Sequence, residues 1–465
     1  MAPKGGKDHK ATKRKARKKQ DDTIAEDEVD TKNTRKKSKE PTTKEKRNKS
    51  KEANKKASAE TGAEVEKEKE KEKEKEKEKE KEKEKFVGAI MFFCKQIIEI
   101  NEPSLNAYFD KNLTSYRNLT ATTVEWGKNP SKNRSNGAEM FDHSRVQVVE
   151  AGSGEKEPSP PRPFYINASR VKFEQCPDLH FIMTQYPLPD TVYDFWKMVF
   201  FEKADRVIAI FEPYVDEAIE EFNKMPEALP TPPTPSPATP STTTTSSSGT
   251  PTTPAESPAE PSKSVQQSIM SNSIRTELLM NKSFFPLFPE HFINIRGFLI
   301  NTKRVITDDR NKNWLATYLV ETVAFSFSNA VVANVYNCST WPVNRTPNDE
   351  KKLLALCRAP FKDYIGENGP IVVMCDRGVD RSATVVLTMV FIDAVIAGKQ
   401  VKCDEIFKKL RDQRAGACSQ AIYFSYAVRA ALYYFKIKLK TMGSTGSEEV
   451  FKRIEDALQK VPARK

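Results

Sequence analysis

Long apolar segments are missing from this 465-residue sequence. No apolar run follows Met1, so we expect no secretory signal. The most apolar stretch, residues 384–396, contains Asp393 and is too short to span a bilayer. The sequence therefore favours an intracellular protein, cytoplasmic or nuclear, without a membrane span.

Cysteine and histidine are sparse, and neither follows the spacing of metal ligands. The seven cysteines are scattered and odd in number, which fits a reducing compartment better than a disulfide framework. The four histidines are equally dispersed. The sequence implies no metal and no organic cofactor.

Large apolar and aromatic residues are nearly absent from residues 1–85, so we expect a disordered, charged tail. This tail carries 31 Lys and Arg against 22 Asp and Glu, which is most of the net charge of +12. Its basic cluster at 13–19 could be a nuclear-import signal or a weak contact to nucleic acid, and a solvated tail explains it equally well. Nucleic acid is not an expected partner of the folded part. The strict Glu/Lys repeat at 66–85 predicts an extended or partly helical spacer.

Residues 227–262 are almost entirely Pro, Thr, Ser and Ala, which predicts a disordered insertion. Its seven Ser/Thr-Pro pairs are a weak signal for phosphorylation by proline-directed kinases. Around this insertion, residues 86–440 alternate strand-like and helix-like patterns. They predict one α/β domain with a mixed twisted sheet flanked by helices on both faces. Residues 441–465 are expected to be an extension with a short helix.

The predicted elements follow from apolar periodicity. Strands are expected at 146–149, 165–166, 181–184, 207–211, 298–300, 332–336 and 371–374. Helices are expected at 86–100, 191–201, 349–356, 383–397, 403–411, 422–435 and 451–458.

The candidate chemistry is concentrated where a β-branched run ends at Cys375 and an apolar helical pattern begins at Arg381 and Ser382. A loop between a buried strand and a helix directs backbone N–H groups and the positive helix end at one spot. A thiol there is pushed towards thiolate, and an arginine can bind two phosphate oxygens. The pattern indicates a cysteine that attacks phosphorus. For Cys375 alone, an ordinary buried cysteine would be the simpler interpretation.

Several motifs in order resemble the classical protein tyrosine phosphatases over about residues 91–435. The Cys375-x5-Arg381-Ser382 loop is similar to the family's signature loop. The other similar motifs lie at residues 132–134 and 142–146 (phosphotyrosine-loop region), 165–169 (Asn-Ala-Ser turn), 184–198 (the Thr-Gln-Gly-Pro-Leu motif and the helix start after it) and 341–342 (mobile general-acid loop).

This resemblance implies roles for individual residues. Cys375 is the implied nucleophile, Arg381 the anion clamp and Ser382 the loop hydroxyl. The implied substrate-binding positions are Arg377, Gly378, Val379 and Asp380 in the loop, and Lys132, Asn133, Arg134 and Ser135 in the phosphotyrosine-loop region.

The general acid is the main departure from the family pattern. The family's Trp-Pro-Asp supplies an aspartate that protonates the leaving tyrosine oxygen, whereas this sequence reads Trp341-Pro342-Val343-Asn344. Val343 cannot donate a proton, and loss of a positioned acid costs on the order of 10²–10⁴ in rate.

The loop also gains charges that the family lacks. Asp376 and Asp380 add two carboxylates, which raise a thiol pKa and repel phosphate, and Arg377 offsets this charge if it points inward. The remaining departures are Met374 for a histidine, Ser135 for a stacking tyrosine, Gly137 for an aspartate, and Ser419 and Tyr423 for two glutamines.

These departures leave three interpretations. We favour a divergent, pseudophosphatase-like member that acts by binding a phosphorylated protein or another protein partner. Either Cys375 and Arg381 still hold phosphate, or Asp376 and Asp380 close the site and another surface binds. The alternative is an active phosphatase that hydrolyses phosphotyrosine through a cysteinyl-phosphate intermediate. A further alternative is an interaction protein whose charged tail binds and whose domain is a scaffold.

Overall fold

A computed structural model describes most of the chain. Disorder is predicted for residues 1–85 and 227–262. Of these, residues 1–52 and 227–262 lie outside the described residues, whereas residues 53–85 are helical. Ser135 and Gly137 also lie outside the described residues. The described residues are 53–134, 138–147, 164–211, 283–289, 291–325, 329–362, 369–442 and 448–462.

The chain divides into two units, Met1–Lys71 and Glu72–Lys465. In the first unit, residues 53–71 are helical. The second unit contains the sheet, the hydrophobic core and the candidate site.

The Glu/Lys repeat at 66–85 is helical, within α1 (Ala53–Ile98), which removes the extended alternative. Side chains at positions 73–85 are almost all exposed, and burial begins at Phe86. From there the helix packs on the core through apolar residues such as Phe93, whose ring contacts those of two other phenylalanines.

Eight strands form one mixed sheet in the order β1-β2-β8-β3-β7-β6-β5-β4. The pairs β2/β8, β8/β3 and β3/β7 are parallel, and the other pairs are antiparallel. The strands are β1 (Ala168–Lys172), β2 (His180–Gln185), β3 (Arg206–Ile210), β4 (Phe292–Ile295), β5 (Phe298–Thr307), β6 (Leu315–Ala324), β7 (Ala330–Cys338) and β8 (Ile371–Cys375).

Helices cover both faces of the sheet. After α1 they are α2 (Leu105–Asn112), α3 (Val124–Lys128), α4 (Val192–Phe201), α5 (Glu350–Arg358), α6 (Arg381–Ile396), α7 (Cys403–Gln413), α8 (Ala421–Thr441) and α9 (Glu448–Lys460). None of the described helices is both long and apolar enough to cross a membrane.

The central strand β8 explains the apolar run that precedes the candidate nucleophile. Ile371, Val373 and Cys375 face the core formed with α1 and α5–α9, whereas Val372 and Met374 face the core formed with α4. A parallel strand covered on both faces needs apolar residues at every position. The predicted α/β fold, with a mixed twisted sheet between helices, is confirmed.

All the predicted helices are present, and most observed elements are longer than predicted. The strand predicted at 165–166 is wrong. The Ala168 N–H donates to the Ile166 carbonyl (2.9 Å), so the chain turns there before β1 begins. Of the strand predicted at 146–149, residues 146 and 147 are not in a strand, and residues 148–149 lie outside the described residues. The neighbouring Arg145 forms an isolated bridge to Ser169.

The sequence analysis missed β1, β4, β6, α2 and α3. In β6 the buried face includes Thr322 and Ala324, which hides the alternation of apolar and polar residues. In α2 only Leu105 and Phe109 are buried, which is too short a pattern to show helical periodicity.

Candidate functional site

The 375–382 loop joins the end of β8 to the start of α6. Cys375 lies opposite Gln185 of β2 in the parallel register. The Tyr186 N–H donates to the carbonyl oxygens of Cys375 (2.7 Å) and Asp376 (3.1 Å), so the loop leaves the sheet along the end of β2. Arg381 is the first residue of α6. The elements therefore bring the cysteine and the arginine to one strand–loop–helix connection.

Gly378 is required by a close approach between the loop and β2. Its φ is +68°, which lies in the left-handed region. A Cβ atom at this position would lie 2.3 Å from the Thr184 carbonyl oxygen. A residue with a side chain would therefore have to move either the loop or the end of β2.

The buried Arg414 guanidinium supports the loop from behind. It donates to the carbonyl oxygens of Gly378 (3.1 Å) and Arg377 (3.1 Å), and the Val379 carbonyl accepts from Cys418 N–H (2.8 Å). Because each carbonyl points opposite to the next N–H in a trans peptide, the N–H groups of residues 378–380 face the other way. Burial lowers the pKa of Arg414 to about 10. Its signal in the sequence, an arginine after a helical pattern, is too common to predict this role.

Cys375 and Ser382 lie side by side under the loop. The Cys375 Sγ atom is 3.4 Å from the Ser382 Oγ atom, and both residues are fully buried. The two candidate residues are therefore in hydrogen-bonding contact.

The Arg381 guanidinium is bound by groups of the protein itself. One terminal nitrogen donates to the Trp341 carbonyl oxygen (2.5 Å), and the other donates to the Asp376 carboxylate (3.2 Å). Burial favours a higher pKa for Asp376, but the charge of Arg381 and the hydrogen bonds from the Arg377 N–H and the Arg381 guanidinium, with the charge of Arg377, together outweigh it and hold this pKa below its usual range. Asp376 therefore stays ionised, and the predicted anion clamp already holds a carboxylate.

Asp380 is buried and fully paired. Its carboxylate accepts from the Arg377 guanidinium and from the Ser419 N–H (2.7 Å). Arg377 also lies 3.4 Å from the Ser419 hydroxyl. Burial alone would lower the pKa of Arg377, but the charge and hydrogen bond of Asp380, together with further negative charge nearby that includes Asp376, outweigh it and raise this pKa. Arg377 therefore neutralises Asp380 and has that charge as its nearest partner.

The 341–344 segment lies against the loop but offers no acid. Trp341 is buried and Val343 is half exposed, so the position of the family's aspartate holds an apolar side chain facing solvent. Asn344 has a φ of +58° and donates its N–H to the Tyr423 hydroxyl (2.8 Å). The segment therefore contacts the site through a backbone carbonyl, not through a proton donor.

The described residues of the phosphotyrosine-loop region are engaged in internal contacts. Lys132 pairs with Asp194 (2.8 Å), and Asn133 Oδ1 accepts from the Tyr165 hydroxyl (2.6 Å). The Arg134 side chain donates to the carbonyl oxygens of residues 186 and 187. These side chains fix the segment to the sheet end beside the loop.

Comparison with known proteins agrees with this architecture. The sequence model of the protein-tyrosine phosphatase family matches residues 129–224 and 268–433, more than half of the chain. Human receptor-type tyrosine-protein phosphatase-like N is 23% identical over 325 residues, which covers 70% of this chain and 26% of the relative. Receptor-type tyrosine-protein phosphatase N2 of Macaca nemestrina is 24% identical over 317 residues, or 68% of this chain and 24% of the relative.

A shorter match joins the chain to the human phosphatidylinositol phosphatase PTPRQ, with 32% identity over 111 residues. That match covers 24% of this chain and 4% of the relative. The chain spans about a quarter of the length of the receptor-type relatives. The loop between β8 and α6, the mixed sheet that presents it and the extent of the family match lead to one conclusion: this chain belongs to the protein-tyrosine phosphatase family.

Proposed function

We propose that this domain is a catalytically impaired, phosphatase-like module that acts by binding a protein partner instead of turning over a phosphate ester. One observation carries the proposal: the Arg381 guanidinium is occupied by the Asp376 carboxylate and the Trp341 carbonyl. An incoming phosphate dianion would have to displace that carboxylate. It would also meet the negative charge of Asp376 close to its binding position.

The missing general acid supports the same proposal. Val343 stands where the resemblance expects an aspartate, and loss of a positioned acid costs on the order of 10²–10⁴ in rate. A tyrosine leaving group with a pKa of about 10 departs poorly without a proton donor. The relatives named phosphatase-like N are consistent with impaired chemistry, although the chain covers only a quarter of their length.

Of the two binding modes, the pairing of Asp376 with Arg381 favours a partner bound through another surface over phosphate held in the loop. A phosphorylated partner would need Asp376 to move away from the guanidinium. An intracellular location, cytoplasmic or nuclear, remains part of the proposal, as do the charged tail and the insertion as separate segments. The scaffold alternative depends on that tail, whose first 52 residues lie outside the described residues.

The second candidate function is an active phosphatase. The contact of 3.4 Å between Cys375 and Ser382 favours it, because it leaves the nucleophile beside the loop hydroxyl. The two candidates differ in whether Arg381 can be released to bind the equatorial phosphate oxygens.

Turnover of an activated aryl phosphate by the full chain separates the two functions. Such a substrate has a good leaving group and needs little help from an acid, so the assay detects weak activity. We expect no product above the level of Cys375→Ser, which removes the nucleophile and serves as the control. Release that depends on Cys375 would contradict the proposed function.

A further inference from the structure

Three side chains at the start of α8 meet the 341–344 segment. Gln420 immediately precedes α8, and Tyr423 and Tyr426 lie in its first two turns. Each is three residues from the next, a spacing that brings side chains together on a helix surface. The Gln420 amide donates to the Asn344 side-chain oxygen (3.0 Å), and the Tyr423 hydroxyl accepts from the Asn344 N–H (2.8 Å). The Tyr426 ring packs edge-on against Trp341, with ring centroids 6.3 Å apart.

Asn344 is the residue that these contacts fix most completely. Its backbone N–H and its side-chain oxygen are both bound to the start of α8. Its φ of +58° is a conformation that asparagine tolerates better than most residues with a side chain. The hydrogen bonds therefore hold a backbone conformation that few other residues would adopt.

The opposite end of the segment is held as well. Arg381 donates to the Trp341 carbonyl (2.5 Å), and the Trp341 indole N–H donates to the Arg345 carbonyl (2.8 Å). The Trp341 side chain is buried. The segment is thus tied to α6 at one end and to α8 at the other.

Tyr423 also connects this segment to the 375–382 loop. The Thr384 hydroxyl lies 3.2 Å from the Tyr423 carbonyl oxygen and 3.1 Å from the Asp380 carbonyl oxygen, so its one proton can be donated to either. Tyr423 is fully buried, and burial raises its pKa to about 12, so its hydroxyl stays neutral around neutral pH.

We infer that Tyr423, together with Gln420, is a positioning residue that latches the 341–344 segment onto Arg381 and keeps it in one conformation. The resemblance places a water-positioning glutamine at Tyr423 and describes the segment as mobile. The tyrosine instead reaches the segment's backbone and anchors it. The inference rests on the proposed function, because a fixed segment suits a binding surface and hinders a reaction cycle that opens and closes the site.

Amide hydrogen exchange of the full chain, resolved to single residues by fragmentation mass spectrometry, tests the latch. Tyr423→Phe keeps the ring and removes the hydroxyl that accepts from Asn344. Loss of one hydrogen bond corresponds to an increase of about 3- to 10-fold in local opening, so we expect the Asn344 amide to exchange faster by that factor. Exchange in β8 reports global opening and is expected to stay unchanged.

Tyr426→Phe is the matched control, because its hydroxyl donates to the Asp349 carbonyl (3.1 Å), outside the segment. It should leave exchange at Asn344 unchanged. Gln420→Ala removes the hydrogen bond to the Asn344 side chain, and Gln420 is exposed. This variant therefore tests the latch even if Tyr423→Phe lowers folding stability. We expect the Asn344 amide to exchange about twofold faster.

Unchanged exchange at Asn344 in Tyr423→Phe, or an equal increase in Tyr426→Phe, would overturn the latch. This test does not measure turnover. Phosphatase activity of the wild-type protein would therefore contradict the proposed function without changing what the exchange experiment says about the latch.

Discussion

Two parts of the 375–382 loop differ in whether they favour phosphate binding: the contacts that support its backbone, and the charged side chains that line it. The support meets the needs of a phosphate-binding loop: Gly378 permits the close approach to Thr184, and Arg414 holds the loop carbonyls from behind. The charged side chains that line the loop pair with each other: Asp376 with Arg381, and Asp380 with Arg377. A fold can therefore keep the geometry of a reactive loop after the charges that would bind substrate have found internal partners.

The largest loss of stability is expected from a substitution that disturbs the backbone of the loop. Gly378→Ala would place a Cβ atom 2.3 Å from a backbone carbonyl and force a left-handed conformation on alanine. We expect the free energy of unfolding to fall by about 3 kcal/mol or more, measured by urea denaturation.

Gly416→Ala is the control for Gly378→Ala. Gly416 has a φ of +69°, but an added Cβ atom would meet nothing within 4 Å. It should cost only the conformational term of about 1 kcal/mol. Equal losses in the two variants would show that the contact with β2 does not support the loop.

A smaller loss of stability is expected when the ion pair between Arg377 and Asp380 is broken. Arg377→Ala removes the positive charge beside the buried Asp380 carboxylate and leaves it the hydrogen bond from the Ser419 N–H. Breaking a buried pair costs about 3–5 kcal/mol, and the partial exposure of Arg377 reduces this to roughly 1–3 kcal/mol. Urea denaturation measures the loss.

The double variant Arg377→Ala, Asp380→Ala sharpens this test, because it removes both charges. We expect it to be more stable than Arg377→Ala alone. If the double variant loses the sum of both single effects, the two side chains do not act as a pair.

The smallest effect is expected from restoring an acid. Val343→Asp alone should give no measurable gain in aryl phosphate turnover, because Arg381 remains bound to Asp376. Combined with Asp376→Ser, it should raise turnover above that of Asp376→Ser, but below the roughly 10²–10⁴ contributed by a well-positioned acid. A full gain in Val343→Asp alone would place the whole defect in the 341–344 segment.

Local sequence patterns predict five of the eight strands and most helices. They also predict the location of Cys375, Arg381 and Ser382, because a buried strand and an apolar helix bracket them. The pairing of the charges is not predictable in the same way. Asp376 and Arg377 are adjacent in sequence, yet one turns to Arg381 and the other to Asp380. The backbone dihedral angles of the loop decide where these two side chains point, and those angles cannot be inferred from the order of the residues.

Long-range contacts limit the prediction further. Arg414 contacts the loop from 36 and 37 residues away, and Tyr423 contacts Asn344 across 79 residues. Their roles depend on how α7 packs against β1 and how α8 packs against α6. Tyr423 is recognisable in the sequence only as a departure from the family pattern, without an indication of the contact that it makes.

The most direct test of the central claim is calorimetric titration of the full chain with tungstate, a tetrahedral dianion that resembles phosphate. Removing the Asp376 carboxylate by Asp376→Ser should free Arg381 and tighten binding by at least about tenfold, which is roughly 1.4 kcal/mol. Asp110→Ser, at an exposed position on α2, makes the same change of charge far from the loop in sequence and controls for net charge. Tight binding to the wild-type chain, or no difference between the wild type and Asp376→Ser, would contradict the account.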